Sequence, residues 1–198
     1  MDDRQKMIEQ VKLLKEMQRR KAKDNFAEFP MYINPKYQQK WFHRLVAQYC
    51  QMVFEGVIKK LIITVSPQCG KSELVSRLFP AWALGVDPDL KIVLCSYSAT
   101  LASGFNRAVQ RVISSEEYRQ LFPDTFLNTE RLAKYRGYVC SADAFDVVNH
   151  TGFFKTVGVG GSLTGTPADI AIIDDPVKDA MEANSPQQRD NVWDWYTT

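Results

Sequence analysis

A chain of 198 residues, 45% hydrophobic and 24% charged, has the size and composition of one soluble domain with a core of its own. No apolar run approaches the roughly 20 residues of a membrane-spanning helix, and the charged start MDDRQKMIEQ is not a secretory signal, so a cytosolic, non-membrane protein is expected. The net charge of +2 is uneven: residues 1–25 hold eight basic and five acidic side chains, while the rest of the chain is close to neutral.

In chain order, the spacing of Met7, Ile8, Val11, Leu14 and Met17 predicts an amphipathic, basic helix over residues 5–23, treated as an arm (1–25) ahead of the main domain (26–198). FAEFPMYINP, with two prolines and no period, reads as a loop. KYQQKWFHRLVAQYCQMVFEG reads as a helix with Trp41, Leu45, Tyr49 and Met52 on one face and Gly56 as its stop. LIITV (61–65) is a β-rich apolar strand candidate, followed by SPQCGKS and a helix over 71–84 that Gly85 closes. A second buried strand is expected at KIVLCSYS (91–98), then a helix capped by Ser98 or Thr100 and running to about residue 113. SSEEYRQLFP gives a short helix that Pro123 ends, and residues 124–137 have no clear period. GYVCSADAFDVVNHTGFFKTVGV reads as short strands with NHTG as a hairpin turn; a glycine-rich loop then leads to strand IAIID (170–174). Ser185 and Pro186 open a final helix. This order of elements predicts an α/β fold, a mainly parallel sheet flanked by helices.

Cys50, Cys69, Cys95 and Cys140 are widely spaced, none in a CxxC pair, and the chain has two histidines; reduced thiols fit better than a zinc site. The chemistry points instead to residues 66–72. A loop that leaves a buried strand and opens a helix turns backbone N–H groups and a helix N-terminus toward one point, where a phosphate can be held. Ser66, Pro67, Gln68, Cys69 and Gly70 would form the cradle, Lys71 would reach the terminal phosphates of ATP, and the Ser72 hydroxyl would meet Mg²⁺. The usual first glycine is replaced by Val65, and Pro67, with its fixed φ, is expected to make the turn. A carboxylate at a neighbouring strand end completes the arrangement: Asp174 toward the metal, Asp175 as the base for an attacking water.

Three blocks, SPQCGKSELVSRLFPAWALG, KIVLCSYSATLASGFNRAVQRVISSEEYRQLFP and VGVGGSLTGTPADIAIIDDPVKDAMEANSPQQRDNVWDWY, resemble the N-terminal ATPase domain of large terminase subunits of tailed double-stranded DNA bacteriophages. The resemblance runs from about residue 35 to the end. It implies a P-loop NTPase fold of the RecA-like type and an ATP-hydrolysing motor that moves double-stranded DNA into a preformed capsid. It implies Lys71 and Asp175 in catalysis, Ser72 and Asp174 at Mg²⁺, and an upstream adenine-side motif for which Gln38, Gln39 and His43 are candidates. The implied partners are DNA, the portal or prohead, the small terminase subunit and further copies in a ring, in the host cytoplasm. Relatives continue into a further ATPase strand and a nuclease domain; the ATPase domain here is expected to be incomplete and the nuclease absent from these residues.

The chain departs from that pattern at Gln68, where many relatives carry an arginine, and at Gly165-Thr166-Pro167, where many have Gly-Arg-Gly, and Asp175 stands where glutamate is commoner. Arg107 and Arg111 are substitute arginines, and Arg131, Lys134 and Arg136 form a basic cluster suited to DNA phosphates or to simple solvation. A helicase-type ATPase and a nucleotide switch without turnover are the competing expectations.

Overall fold

A computed structural model describes residues 3–163 and 165–197. Its helices are α1 (Asp3–Asp24), α2 (Phe29–Ile33), α3 (Trp41–Phe54), α4 (Phe79–Val86), α5 (Ala99–Ile113), α6 (Glu116–Leu121), α7 (Ala180–Asn184) and α8 (Pro186–Thr197). Its strands are β1 (Lys91–Ser96), β2 (Ala144–Asp146), β3 (Phe153–Gly158) and β4 (Ile170–Asp174). The sheet has the order β2-β3-β1-β4. β1 pairs in parallel with β3 and with β4, whereas β2 folds back antiparallel on β3. The sheet is mixed, and the expected parallel arrangement is confined to β3, β1 and β4.

The helix signals in the sequence act locally. Ser98 Oγ accepts from Leu101 N (3.2 Å), Ser115 Oγ from Tyr118 N (3.2 Å) and Ser185 Oγ from Gln188 N (3.4 Å). Each hydroxyl satisfies an N–H that the helix itself leaves free. The segment after the loop is one continuous helix with a π-helical turn, Glu73–Leu78, leading into α4. Phe79 N reaches back to Leu74 O. The widened turn accommodates Pro80, which has no N–H to return to the preceding turn.

The core gathers aromatic side chains from distant elements. Phe26, Phe29, Trp82 and Tyr118 are fully buried among Phe79, Phe105 and Phe122, over Ile92, Leu94, Phe154 and Ile172 of the sheet. Each such side chain contributes roughly 1.5–3 kcal/mol. Trp82 Nε1 donates to Lys23 O (3.1 Å) and Arg19 to Gln120 O (3.1 Å), which tie the last turns of α1 to the body; Met7, Leu13 and Leu14 farther up the helix are exposed. Gly85 is required for packing, since a Cβ there would lie 2.3 Å from the Phe122 ring.

Three expectations are corrected. FPMYI is helical, because burial of Phe29 and Pro30 in the core fixes the turn, and Pro30 stands at the helix start where its missing N–H costs nothing. α3 packs through His43, Ala47 and Cys50; the Trp41–Leu45–Tyr49 face is exposed, Trp41 by 78%. Ala47 and Cys50 are small and let the helix lie close, and His43 makes the contact with the loop. LIITV forms no strand: Leu61 and Ile63 rest on the core, but Ile62 is 89% exposed. Among the described residues no strand lies beside it to complete a ladder, and the outer edge of β4 is likewise unpaired.

Candidate functional site

Residues 65–73 wrap a recess of about 430 Å³, closed by Arg77 and Asp175. The turn is made as Pro67 demands. Gln68 follows it at φ 58°, and that pairing has the φ signs of a type II turn, in which the third residue needs the left-handed region. Gly70, at φ 86°, is the second reversal. Asp175, at φ 47°, is also left-handed, and its carbonyl accepts from Tyr97 N (3.2 Å). Two non-glycine residues in a sparsely populated conformation face one recess, a pattern that accompanies functional sites.

The parallel β1–β4 pairing puts Ser96 opposite Asp174 and carries the aspartate pair to the mouth of the recess. There Lys71 Nζ lies 2.7 Å from Asp175 Oδ1 and 3.2 Å from Asp174 Oδ1, joining groups 104 and 103 positions apart. Asp174 is 5% exposed, and its other oxygen accepts from Ser76 Oγ (2.8 Å). Burial alone would pull the Lys71 ammonium down, but its hydrogen bond to Asp175 and the charge of Asp174 hold it above the ordinary lysine value.

His43 braces the loop from α3. Its Nδ1 accepts from Lys40 N (3.0 Å), which leaves Nε2 to donate to Cys69 O (2.7 Å). The ring sits 3.1 Å from where a Cβ on Gly70 would be. Of the other adenine-side candidates, Gln39 donates to Ala27 O (2.6 Å) and Gln38 is exposed. Arg107 and Arg111 are exposed on α5 and do not line the recess. The arginine that does is Arg77, held to Glu73 (2.6 Å) and lying over the Phe105 ring (5.7 Å).

Sequence reasoning did not single out Ser76, Glu73 or Arg77. Ser76 had a signal: it is one helical turn beyond Ser72, on the face that Ser72 occupies. For Arg77 the spacing gives none, because the π-helical turn changes the direction in which a side chain points.

The segment 62–198 matches the family described as terminase large subunit, T4-like virus type, N-terminal. The chain is also 32% identical over 149 residues to the large terminase subunit of Enterobacteria phage T3, an alignment that covers 72% of this chain and 23% of that protein. The loop, the aspartate pair and the whole sheet fall within the matched segment, whereas α1 to α3 and His43 precede it, and the chain belongs to the large terminase subunit family.

Proposed function

We propose that this chain carries the ATPase site of a motor that packages double-stranded viral DNA into a preformed capsid, on a fold of the P-loop NTPase type. The observation that supports it best is the seating of Lys71 Nζ between Asp174 and Asp175 at the mouth of the recess formed by residues 65–73. The ammonium stands where a cation is wanted, between two carboxylates. When ATP enters, its γ-phosphate oxygens compete for Lys71, and Asp175 is released from its ion pair. Asp175 then accepts a proton from water as the water oxygen attacks the γ-phosphorus. The bond to the β–γ bridging oxygen breaks, leaving ADP and phosphate. Backbone N–H groups of residues 68–72 hold the phosphates, and His43 keeps Cys69 and Gly70 in place for them.

The donor set at the mouth, two carboxylates and the Ser72 hydroxyl, is of hard oxygens and suits Mg²⁺, which when bound neutralises charge on the β- and γ-phosphates. Ser72 and Asp174 would hold it, with Ser76 fixing the Asp174 carboxylate.

The motor reading adds the portal, the small terminase subunit and further copies in a ring as partners, in the cytoplasm of an infected host. Among the described residues no helix is long and apolar enough to cross a membrane. Phosphate release by the full-length protein, with and without duplex DNA and proheads, tests the proposal. DNA-stimulated turnover that Lys71→Ala abolishes is expected; turnover unchanged by that substitution would overturn it. Nucleotide binding without phosphate release would identify a switch.

A further inference from the structure

The segment between α6 and β2 has no regular period in sequence, yet it is held in one shape. Asn128, 5% exposed, does most of this: Oδ1 accepts from Leu132 N (2.8 Å), Nδ2 donates to Tyr135 O (3.0 Å), and its carbonyl accepts from Arg131 N (3.2 Å). A second clamp lies farther on, where Asp146 Oδ2 accepts from Val139 N (2.7 Å). Within this frame Arg131 is fixed at φ 52°, a left-handed conformation uncommon for arginine that persists only where the surroundings enforce it.

What the frame presents is positive charge without counter-charge. Arg131, Lys134 and Arg136 are exposed, and among the described residues no carboxylate forms an ion pair with any of them. Of the nearby acids, Asp146 accepts from Val139 N, and Glu130 lines an adjoining recess with Arg119. Arg131, Arg136 and Tyr138 line a recess of about 330 Å³. Lys134 Nζ stands 4.7 Å over the Tyr135 ring, which packs on Phe126 and Tyr138. Guanidinium forks and a phenol around an open recess match the anionic oxygens of phosphodiesters.

The position also has meaning. Gln110, in the last turns of α5, donates to Ser141 O (2.6 Å), so the basic segment sits at the C-terminal end of that helix. The N-terminal end of α5 follows Tyr97, which is bonded to Asp175. Fifteen residues of α-helix span about 22 Å, so the helix connects the aspartate pair to the basic loop.

We propose that the loop of residues 128–140 is a DNA-contact surface that grips the phosphate backbone of the duplex without sequence preference, through Arg131, Lys134 and Arg136. The assignment rests on the reading of the chain as part of a DNA motor, but it concerns a surface away from the nucleotide recess.

The test uses the full-length protein and a fluorescent 30-base-pair duplex, with affinity measured across a salt series. Each phosphate contact contributes about 0.9 to the slope of log affinity against log salt. Replacing all three (Arg131→Gln, Lys134→Gln, Arg136→Gln) should lower the slope by about 2–3 and weaken binding at least tenfold at 100 mM salt. Arg136→Gln alone should lower it by about 1. Basal ATP turnover without DNA should be unchanged, which also reports that the variant is folded. A triple variant whose slope equals that of the parent, whether or not its affinity falls, overturns the surface assignment and leaves the motor reading standing. A parent protein that binds no duplex at any salt overturns the DNA reading and this assignment together.

Discussion

At the scale of single residues, the loop of residues 66–72 is shaped by two left-handed positions with opposite tolerances. Gly70 at φ 86° leaves little room for a side chain, since a Cβ would lie 3.1 Å from His43 Nε2 and the imidazole would have to give by a few tenths of an ångström. Gly70→Ala should therefore cost about 1–2 kcal/mol in urea denaturation from the backbone alone, and more from the crowded imidazole. Gln68 at φ 58° already carries such a strain, and Gln68→Gly trades it against extra chain entropy; that variant should match the parent or gain up to about 1 kcal/mol. If both glycine-site variants shifted stability equally, the loop conformation would not be the one described. Ser76→Ala offers a second residue-scale check. It removes a 2.8 Å hydrogen bond from a buried carboxylate and should cost about 1.5–3 kcal/mol, with a larger loss of ATP turnover than of ATP binding. Equal turnover in parent and variant would mean that Asp174 needs no such support.

At the scale of elements, what could be read from the sequence was what neighbours in the chain decide. The serine caps at residues 98, 115 and 185 act within four residues of themselves, and all three form the hydrogen bonds that their type suggests. The meeting of Lys71 with Asp174 and Asp175 was legible too, although only the aspartates stand at the end of a sheet strand, and the loop reaches them from a segment outside the sheet. The failures share a cause: the residues concerned depend on what stands beside them. The LIITV stretch is as apolar and β-branched as a buried strand, but a strand is completed by a partner's N–H and C=O groups, which residue type does not report. In α3 two rows competed, and hydrophobicity favoured the bulky one, whereas proximity to the loop selected His43, Ala47 and Cys50. This packing has a chemical consequence. Burial pushes the Cys50 thiol up to about 12 and the Cys95 thiol up to about 11, and it raises Cys140 as well. Alkylation of the native protein at pH 8, followed by peptide mass spectrometry, should label Cys69 first, leave Cys50 and Cys95 unmodified, and lose the Cys69 signal when ATP is present. Early labelling of Cys50 would show that α3 does not pack through this face.

At the scale of the whole molecule, the phenols and thiols displaced by burial share one sign, and that sets the behaviour in base. Tyr37 is pushed up to about 12 and Tyr118, whose hydroxyl donates to Ala81 O (2.8 Å), is raised well above its ordinary value; in both, desolvation of the phenolate is the main cause. Cys50 and Cys95 move the same way for the same reason, and Lys71 is held above its ordinary value by the two aspartates despite partial burial. For each group the folded value exceeds the unfolded one. Each contribution is therefore complete below the unfolded value and fades as pH rises toward the folded value. The unfolded chain starts to release thiol protons near pH 9 and phenol and ammonium protons near pH 10, while the native core retains them. Urea midpoints should thus be flat up to about pH 8 and then fall continuously to pH 12. Cys50→Ala isolates one share of the decline: the variant begins slightly less stable, but its loss between pH 9 and 12 should be shallower than that of the parent, because the group most displaced among the thiols is gone. Two curves that run parallel over that range would show that Cys50 ionises alike in both states, contrary to the packing of α3 against the core.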